Sequence, residues 1–246
     1  MKVLLIGDSC EDRYFYGDVK RLNPEAPVPI LEYKRGVTSK GMVLNVRENL
    51  MSFGVEVYLS THPEEIIKTR YIDEKSNQQI MRYDEESKIK PLSFDFPTEW
   101  NTLYDALVIS DYDKGFITQE KLFELSNWFQ GPVFIDTKKI CIPGNAFIKV
   151  NESEFKKITH FIPDNMIITK GGEGTEYQGK LYPAEKVNVF DVVGAGDTFL
   201  AALTYGYLKY GRIEEAIPLA NKAAAVSVSH RGTYVLTEED INEILH

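Results

Sequence analysis

The sequence contains little cysteine and comparatively little positive charge. Its 246 residues include two cysteines, Cys10 and Cys141, which are far apart and form no CxxC pair. This argues against a disulfide framework or a cysteine zinc site and favours a reducing cytoplasm. There are 28 lysine and arginine residues against 37 aspartate and glutamate residues, for a formal net charge of −9. Nucleic-acid-binding proteins usually carry a basic excess, so no nucleic-acid partner is expected.

Long apolar runs are absent as well, and none approaches the ~20 residues that span a bilayer. The first apolar run, at residues 3–6, is followed by Asp8, Glu11 and Asp12. These acidic residues lie where a signal peptide would have its cleavage site. The run therefore predicts a buried strand, and no membrane partner is expected. Because repeats, low-complexity tracts and linkers are also missing, we expect one domain over residues 1–246.

What is present is the pattern of an α/β protein. Strand-like and helix-like segments alternate from residue 105 onward, which predicts a mainly parallel central sheet flanked by helices. The predicted strands are 3–6, 55–59, 106–110, 132–136, 146–150 and 165–169, and the predicted helices are 42–53, 118–129, 152–158, 195–210 and 213–230. A hairpin is expected within 176–190. Ligands of such sheets bind at the carboxyl ends of the strands.

A second, smaller sheet is predicted outside this body. Residues 69–86 alternate in polarity on either side of the polar stretch 75–77, which is typical of an antiparallel hairpin. The segment near 13–35, which includes the strand-like residues 27–33, is expected to join it.

The clearest chemical signal is FDVVGAGDTFLAALTYGYL at residues 190–208. Gly194 and Gly196 permit a tight turn and a close approach of a ligand to the backbone. Helical spacing begins directly afterwards, so the amides here would bind phosphate at a helix N-terminus. Asp197 would then be placed to accept a proton from an attacking hydroxyl during phosphoryl transfer. The alternative is a plain helix start, with Asp197 as a favourable first-turn residue.

The stretch DVVGAGDTFLAAL, residues 191–203, closely resembles the C-terminal signature of the ribokinase/PfkB carbohydrate kinase family. The resemblance implies a ribokinase-like α/β fold with a small β-sheet lid, ATP as the phosphoryl donor and a sugar as the acceptor. It also implies that Asp197 is the catalytic base and that Gly194, Ala195 and Gly196 form the anion hole. Other family-like segments follow in the expected order along nearly the whole chain.

Asn151 and Glu154 match the NxxE motif of this family, which organises Mg²⁺ and phosphate through water. An Asn and a Glu three residues apart at a helix start supply the oxygen ligands that a hydrated magnesium ion accepts. An ordinary helix cap with an acidic first turn is the alternative.

The segment TKGGEG at residues 169–174 resembles the nucleotide loop of the family, which implies that Thr169, Gly171 and Gly174 lie beside ATP. The same glycines would also suit an ordinary loop turn. Asn221 resembles the asparagine beside the adenine pocket, although it also fits a polar position on an alanine-rich packing helix.

The sugar side is expected near the N-terminus. Asp8 lies just past the first strand and Asp12 follows it, and carboxylates at strand ends suit hydrogen bonding to sugar hydroxyls. Gly41 and Asn45 lie at the next helix start, where a ligand could again approach. Loop solvation or capping is the alternative for the two aspartates.

Residues 7–33, GDSCEDRYFYGDVKRLNPEAPVPILEY, resemble the D-glycero-D-manno-heptose-7-phosphate kinases within this family, often one half of a bifunctional enzyme. That implies phosphorylation of O1 of a sugar that already carries a phosphate. The distal phosphate would need cations, for which Arg13, Arg82 and Lys114 are candidates, unless they are solvated surface charges. Two departures bear on the exact sugar: Met42, Val43 and Leu44 replace small residues of the family, and the region 61–68 is short.

The resemblance carries two further expectations. Lids of this family often provide a dimer contact, which implies a homodimer through the lid. Asp191 and the loop Ser229–Gly232 resemble the monovalent-cation region of some relatives. Another sugar phosphate or a nucleoside as acceptor stays open, as does a non-catalytic sugar- or nucleotide-binding protein of the same fold.

Overall fold

Two separate sheets organise the residues that the computed structural model describes, namely 1–93, 96–158 and 164–245. In chain order the elements are β1 (Lys2–Gly7), β2 (Ser9–Leu22), β3 (Pro29–Met42), α1 (Val43–Ser52), β4 (Glu56–Ser60), β5 (Ile66–Asp73), β6 (Gln78–Glu86), α2 (Trp100–Leu103), β7 (Ala106–Asp111), α3 (Gln119–Trp128), β8 (Val133–Thr137), β9 (Phe147–Asn151), α4 (Glu152–Phe155), β10 (Met166–Thr169), β11 (Thr175–Tyr177), β12 (Lys180–Tyr182), α5 (Ala195–Tyr210), α6 (Ile213–Val228) and α7 (Glu238–Leu245).

The larger sheet has eight strands in the order β12-β11-β10-β9-β8-β7-β1-β4. Six neighbouring strands of this sheet run parallel, namely β10, β9, β8, β7, β1 and β4. The strands β11 and β12 add an antiparallel edge. The predicted mainly parallel sheet flanked by helices is therefore confirmed. The carboxyl ends of the parallel strands meet at one edge, so residues far apart in sequence converge there.

Each central strand contributes to two hydrophobic cores. In β1, Val3 and Leu5 belong to the core that includes Leu200 of α5. Leu4 and Ile6 face the other way and join Leu122 of α3. This division follows from the two-residue period of a strand. Because both faces of the sheet are covered, β7 is buried along its whole length, as is typical of a parallel sheet.

The smaller sheet, called the lid here, has the order β3-β2-β5-β6. β2 and β3 form a long antiparallel hairpin, and β5 runs parallel to β2. The hairpin begins at Ser9, immediately after β1, and ends at Met42, immediately before α1. The hairpin is longer than the segment expected near 13–35. The prediction was too short because the polar Asp12 occupies a buried position of the first strand. The apolar alternation that would reveal the strand is therefore incomplete.

Several elements differ from expectation, and the short helix α2 was not predicted. α4 ends at Phe155, whereas 152–158 was predicted. The hairpin expected within 176–190 is limited to β11 and β12, and Pro183 follows at once. α7 was not predicted, since it buries only Ile241 and Ile244. Among the described helices, none has both the length and the apolar character needed to cross a membrane.

Candidate active site

The N-terminus of α5 opens at the carboxyl edge of the central sheet. Gly194 precedes it with φ 79°, in the left-handed region that favours glycine. Thr198 N donates to Gly194 O at 3.0 Å, and Ala195 N donates to Val192 O at 3.3 Å. Within the described chain, the amides of Gly196 and Asp197 have no backbone acceptor. They are the unpaired donors that bind anions at helix N-termini.

Asp197 is buried beside these amides and is held by side chains from two other segments. The Tyr112 hydroxyl donates to its Oδ1 at 2.7 Å, and Asn45 Nδ2 approaches its Oδ2 at 3.3 Å. Tyr112 follows β7 and Asn45 lies in α1. A residue that only capped α5 would not need partners from such distant parts of the chain.

Burial raises the pKa of Asp197 to about 6, with the negative charge of Asp136 acting in the same direction. The hydrogen bond from Tyr112 and the positive charge of Lys149 oppose this rise. A carboxylate with a pKa near neutrality is suited to accept a proton from a hydroxyl.

The glycine at position 194 is required by its neighbour as well as by its backbone. A methyl group placed on Gly194 would lie 2.7 Å from Asn45 Nδ2. Asn45 also lies 3.3 Å from Gly194 O, and Asn49 donates to Asn45 Oδ1 at 3.1 Å. Asn49 in turn accepts from Leu236 N at 3.1 Å. This chain of amides fixes the angle at which Asn45 meets Asp197.

Asp12 lies on the face of the lid that points to the site. Its carboxylate is buried and forms an ion pair with Arg70 of β5. A methyl group on Gly41 would lie 2.2 Å from Asp12 Oδ2, so only glycine leaves room for this carboxylate. Arg70 also lies over the ring of Tyr14, 5.2 Å from its centroid. The solvated-loop alternative for Asp12 is therefore wrong.

Asp8 organises the loop that carries Tyr112. Its Oδ2 accepts from Tyr112 N at 2.8 Å and from Lys114 N at 3.2 Å. Burial raises the pKa of the Asp8 carboxyl. Its Oδ1 has no hydrogen-bond partner among the described residues and lies 4.0 Å from His62 Nε2. Asp8 is fully buried rather than solvated, and it acts on the site through the backbone of the β7 loop.

The three predicted cations differ in the side of the lid that they face. Arg13 alternates with Asp12 along β2, lies on the opposite face of the lid and pairs with Glu11. Arg82 is exposed on the edge strand β6, pairs with Asp84 at 2.9 Å and is the cross-strand neighbour of Arg70, on the same face as Asp12. Lys114 forms an ion pair with Glu86 at the end of β6, so it ties the lid to the central domain.

Lys68 and Arg70 are cations on the site-facing side of the lid that sequence reasoning did not select. Lys68 is the cross-strand neighbour of Asp12, and its Nζ lies 5.8 Å from the centroid of the Tyr112 ring. It makes no hydrogen bond or ion pair with other described residues. The alternation of side chains along β5 would have placed Lys68 and Arg70 on one face of the strand. That this face is the one with Asp12 depends on the register of β5 with β2, which only the folded lid shows.

Met42 keeps a backbone conformation that is rare for residues with a side chain. Its φ is 56° and its ψ is −132°, directly before α1. That region is populated almost only by glycine. The side chain is buried next to Cys10 in the second core. Met42 thus replaces a small residue of the family at a position whose backbone conformation favours glycine.

A cavity of about 390 Å³ adjoins the start of α5. Its lining includes the four residues predicted to lie beside the nucleotide, together with two residues predicted for the anion hole: Thr169, Gly171, Gly174, Asn221, Ala195 and Gly196. Gly174 has φ 111°, and a methyl group there would lie 2.1 Å from Tyr182 O. Asn221 accepts from Thr175 Oγ1 at 2.7 Å and donates to Tyr182 O at 3.0 Å. It thus shapes the cavity by anchoring the loop after β12.

Asn151 and Glu154 form a reciprocal capping box at α4. Asn151 Oδ1 accepts from Glu154 N at 2.9 Å, and Glu154 Oε2 accepts from Asn151 N at 2.8 Å. The other Glu154 oxygen pairs with Lys138. Nearby, Asp136 Oδ1 is buried with no hydrogen-bond partner among the described residues. These oxygens suit a hydrated magnesium ion that is held mainly by nucleotide phosphates and water. Direct coordination fits less well, since no cluster of three or more His, Cys, Asp or Glu ligands occurs in the described part of the chain.

Asp191 joins the two segments that resemble a monovalent-cation region. Its Oδ1 accepts from Val193 N at 3.0 Å, and its Oδ2 accepts from Gly232 N at 2.9 Å. Thr233 continues this loop and donates to Ser39 Oγ of the lid at 2.5 Å. The loop Ser229–Gly232 therefore lies between the anion hole and the base of the lid.

The model of the pfkB family of carbohydrate kinases matches residues 144–240. The bifunctional protein HldE of Nitratiruptor sp. is 31% identical over 98% of this chain and 64% of that protein. HldE of Helicobacter pylori is 30% identical over 100% of this chain and 66% of that protein. The chain thus spans a little under two thirds of the length of these curated relatives.

Two solved structures show the same fold. Ribokinase from Thermotoga maritima matches with a TM-score of 0.68 at 18% identity, over 99% of this chain and 98% of that one. Phosphofructokinase-2 from Escherichia coli, solved in complex with potassium, matches with a TM-score of 0.73 at 17% identity, over 98% of this chain and 97% of that one. The predicted ribokinase-like fold is confirmed.

The raised pKa of Asp197 predicts that its carboxylate destabilises the fold at neutral pH. A carboxyl whose pKa rises from 3.8 to about 6 on folding binds its proton more tightly in the folded state. Stability is then highest below the unfolded value and falls as pH rises through this window. Asp197→Asn should raise the free energy of unfolding by up to about 3 kcal/mol above the window, and the gain should shrink towards acid pH.

Chemical denaturation across the pH range measures this difference, with the exposed Asp164→Asn as the matched control. A variant that is no more stable than the wild type at pH 8, or that gains most in acid, would contradict the burial of a charged Asp197.

Proposed function

Because the chain belongs to the pfkB family of carbohydrate kinases, we propose that it transfers the γ-phosphate of ATP to O1 of a heptose 7-phosphate. The family, and with it the enzyme class of phosphotransferases with an alcohol acceptor, agrees with the sequence-based prediction. The observation that carries the proposal is the buried Asp197 carboxylate, which lies beside the unpaired amides of α5 and is held by Tyr112 and Asn45. Under this proposal, a general base lies next to an anion hole.

The nucleotide is proposed to occupy the cavity lined by Thr169, Gly174 and Asn221, with its phosphates towards Gly196. The acceptor hydroxyl approaches Asp197 from the lid side, where Asp12 and Asn45 lie. Asp197 accepts the proton of that hydroxyl while the amides stabilise charge on the transferred group. The pKa of about 6 keeps most of the carboxylate ionised at neutral pH.

Magnesium is proposed to bind with ATP at the end of the cavity near β9. Asn151 and Glu154 would hold it through water, and the ion would neutralise charge on the β- and γ-phosphates. A monovalent cation near Asp191 and Gly232 is proposed on the resemblance of this loop, and a potassium complex is known for Escherichia coli phosphofructokinase-2.

The acceptor is proposed from two lines of support. The curated relatives at 31% and 30% identity are named bifunctional HldE proteins. The amino-acid sequence of residues 7–33 also resembles that of heptose 7-phosphate kinases. Lys68 and Arg70 lie on the site-facing side of the lid. Arg70 is committed to Asp12, whereas Lys68 has no ionic partner in the described chain. An uncommitted ammonium at the lid is suited to a phosphate on the far end of the acceptor.

A homodimer through the lid is also proposed. The face opposite Asp12 carries a cluster in which Phe15 packs edge-to-face against Tyr33 and at a tilt against Tyr71, with ring centroids 5.9 and 5.6 Å apart. Met81 and Tyr83 extend the cluster along β6 and are about half exposed. An aromatic patch of this kind on a sheet face favours contact with another protein surface. A second copy of the same face would cover it symmetrically.

Cytoplasmic location remains part of the proposal. It is supported by the two unpaired cysteines and by the need for ATP.

The function is tested by incubating the protein with ATP and heptose 7-phosphate. We expect release of ADP and a product heavier than the acceptor by one phosphate group, measured by mass spectrometry. Asp197→Asn should lower kcat by roughly 10²- to 10⁴-fold because the general base is lost, while ATP binding stays close to wild type. Turnover with an unphosphorylated sugar or a nucleoside alone would overturn the acceptor, and ATP binding without any phosphorylation would favour a non-catalytic protein.

The role of Lys68 is tested by Lys68→Met. Loss of a charge-assisted contact to the distal phosphate should raise KM for the phosphorylated sugar by roughly 10- to 100-fold, with little change in KM for ATP. The exposed Lys88→Met serves as the matched control. Equal effects on both substrates, or none, would remove Lys68 from the acceptor site.

The dimer is tested by light scattering of the wild type and of the double variant Met81→Ser, Tyr83→Ser. We expect about twice the chain mass of 28.1 kDa for the wild type and a shift to monomer for the variant. The exposed Leu181→Ser lies outside the lid and should stay dimeric. A monomeric wild type would refute the proposal.

A further inference from the structure

The side chain of Lys149 is a buried charge that lies beside the start of α5. Lys149 lies in β9, and its side chain is 6% exposed. A methyl group placed on Gly196 would lie 2.8 Å from Lys149 Nζ. The ammonium therefore occupies the space that the absent side chain of Gly196 leaves open. This space borders the Gly196 and Asp197 amides that have no backbone acceptor.

Asp136 of β8 holds the ammonium in this position. Asp136 and Lys149 are cross-strand neighbours, and Asp136 Oδ2 lies 2.6 Å from Lys149 Nζ. Both side chains are buried between sheet and helix. A buried ion pair is weak evidence of a contribution to stability, because well-packed apolar residues in its place are often neutral or stabilising. A contribution to folding stability is therefore not enough to explain why this ion pair is buried here.

The Lys149 ammonium has more hydrogen-bond donors than acceptors among the described residues. A lysine side chain carries three N–H donors, and Asp136 is the one acceptor that Lys149 meets among the described residues. The other lysine nearby, Lys138, is committed to Glu154 and lies 3.9 Å from Asp136 Oδ1. Spare donors of Lys149 thus lie beside the spare donors of the Gly196 and Asp197 amides. Donors that converge without an acceptor are suited to an anionic ligand.

We propose that the Lys149 ammonium is a catalytic group that binds the transferred phosphoryl group together with the amides of Gly196 and Asp197. This rests on the proposed function. In the transfer, the acceptor oxygen bonds to the γ-phosphorus while the bond from that phosphorus to the β–γ bridging oxygen breaks. The acceptor proton goes to Asp197, and ADP leaves with the electron pair. Negative charge spreads over the three outer oxygens of the phosphoryl group, where a fixed ammonium stabilises it.

Asp136 is a positioning residue in this scheme. It keeps the flexible lysine side chain against Gly196 before ATP arrives, so little reorganisation is needed when the phosphate binds. Before ATP binds, the Asp136 carboxylate neutralises the buried Lys149 ammonium. The incoming phosphate then shares the ammonium with Asp136.

The proposal is tested by equilibrium binding of ATP and ADP without an acceptor, using isothermal titration calorimetry. Lys149 is expected to touch the γ-phosphate and not the rest of the nucleotide. Lys149→Met should therefore weaken ATP binding by roughly 10- to 100-fold, the size of a charge-assisted hydrogen bond, and leave ADP binding unchanged. Lys156→Met, at a 71% exposed lysine of the neighbouring helix, should bind both nucleotides like the wild type.

A second variant guards against loss of the fold, because Lys149→Met leaves Asp136 buried without its main partner. Lys149→Met combined with Asp136→Asn removes both charges, and it should show the same selective loss for ATP. Equal loss for ATP and ADP in the folded double variant, or unchanged ATP binding, would overturn the assignment. Failure of the proposed function would be seen in the wild type instead: no ATP binding would overturn both proposals, whereas normal ATP binding without sugar phosphorylation would affect only the acceptor chemistry.

Discussion

A buried carboxylate that several distant segments hold in place organises the rest of this region. Asp197 lies at the start of α5 and is held by Tyr112 from the loop after β7 and by Asn45 from α1. Each partner needs support of its own. Asp8 binds the backbone of the Tyr112 loop, and Asn49 fixes the Asn45 amide. Through Leu236, Asn49 extends this support to the segment before α7. Separated stretches of chain therefore meet around one side chain, and they act on it through buried polar groups.

The lid is coupled to this site at its base and at its far edge. At the base, Thr233 donates to Ser39, and Gly232 leaves room for the ring of Tyr14. At the far edge, the ion pair of Lys114 with Glu86 joins β6 to the loop that Asp8 organises. A ligand that moved the lid would thus act on the surroundings of both Asp8 and the anion hole. The inward face carries Asp12, Arg70, Lys68 and Arg82, and the outward face carries aromatic residues, because successive side chains of a strand point to opposite faces.

Much of the fold was readable from periodicity, because the parallel strands are continuous apolar runs and the long helices α5 and α6 show regular spacing. The glycine turn, the helix start and the NxxE spacing were readable as well, since they are local features of the sequence. The lid was harder to delimit, because Asp12 stands where an apolar residue would mark a buried strand position. α7 was missed because it buries few side chains. Lys149 was missed because a lysine in a strand is read as a surface charge, and only its contact with Asp136 and Gly196 shows otherwise.

The fold class and the glycine turn before α5 could be predicted without the structure, because they depend on residues that are close together along the chain. Which charges face the inward side of the lid became known only from the folded chain. Arg13 and Asp12 are adjacent in sequence but lie on opposite faces of β2, whereas Lys68 and Asp12 are distant in sequence and are cross-strand neighbours. The physical reason is that a strand turns successive side chains to opposite faces, and strand pairing sets which of them meet. Both facts become visible only when the register of the sheet is known.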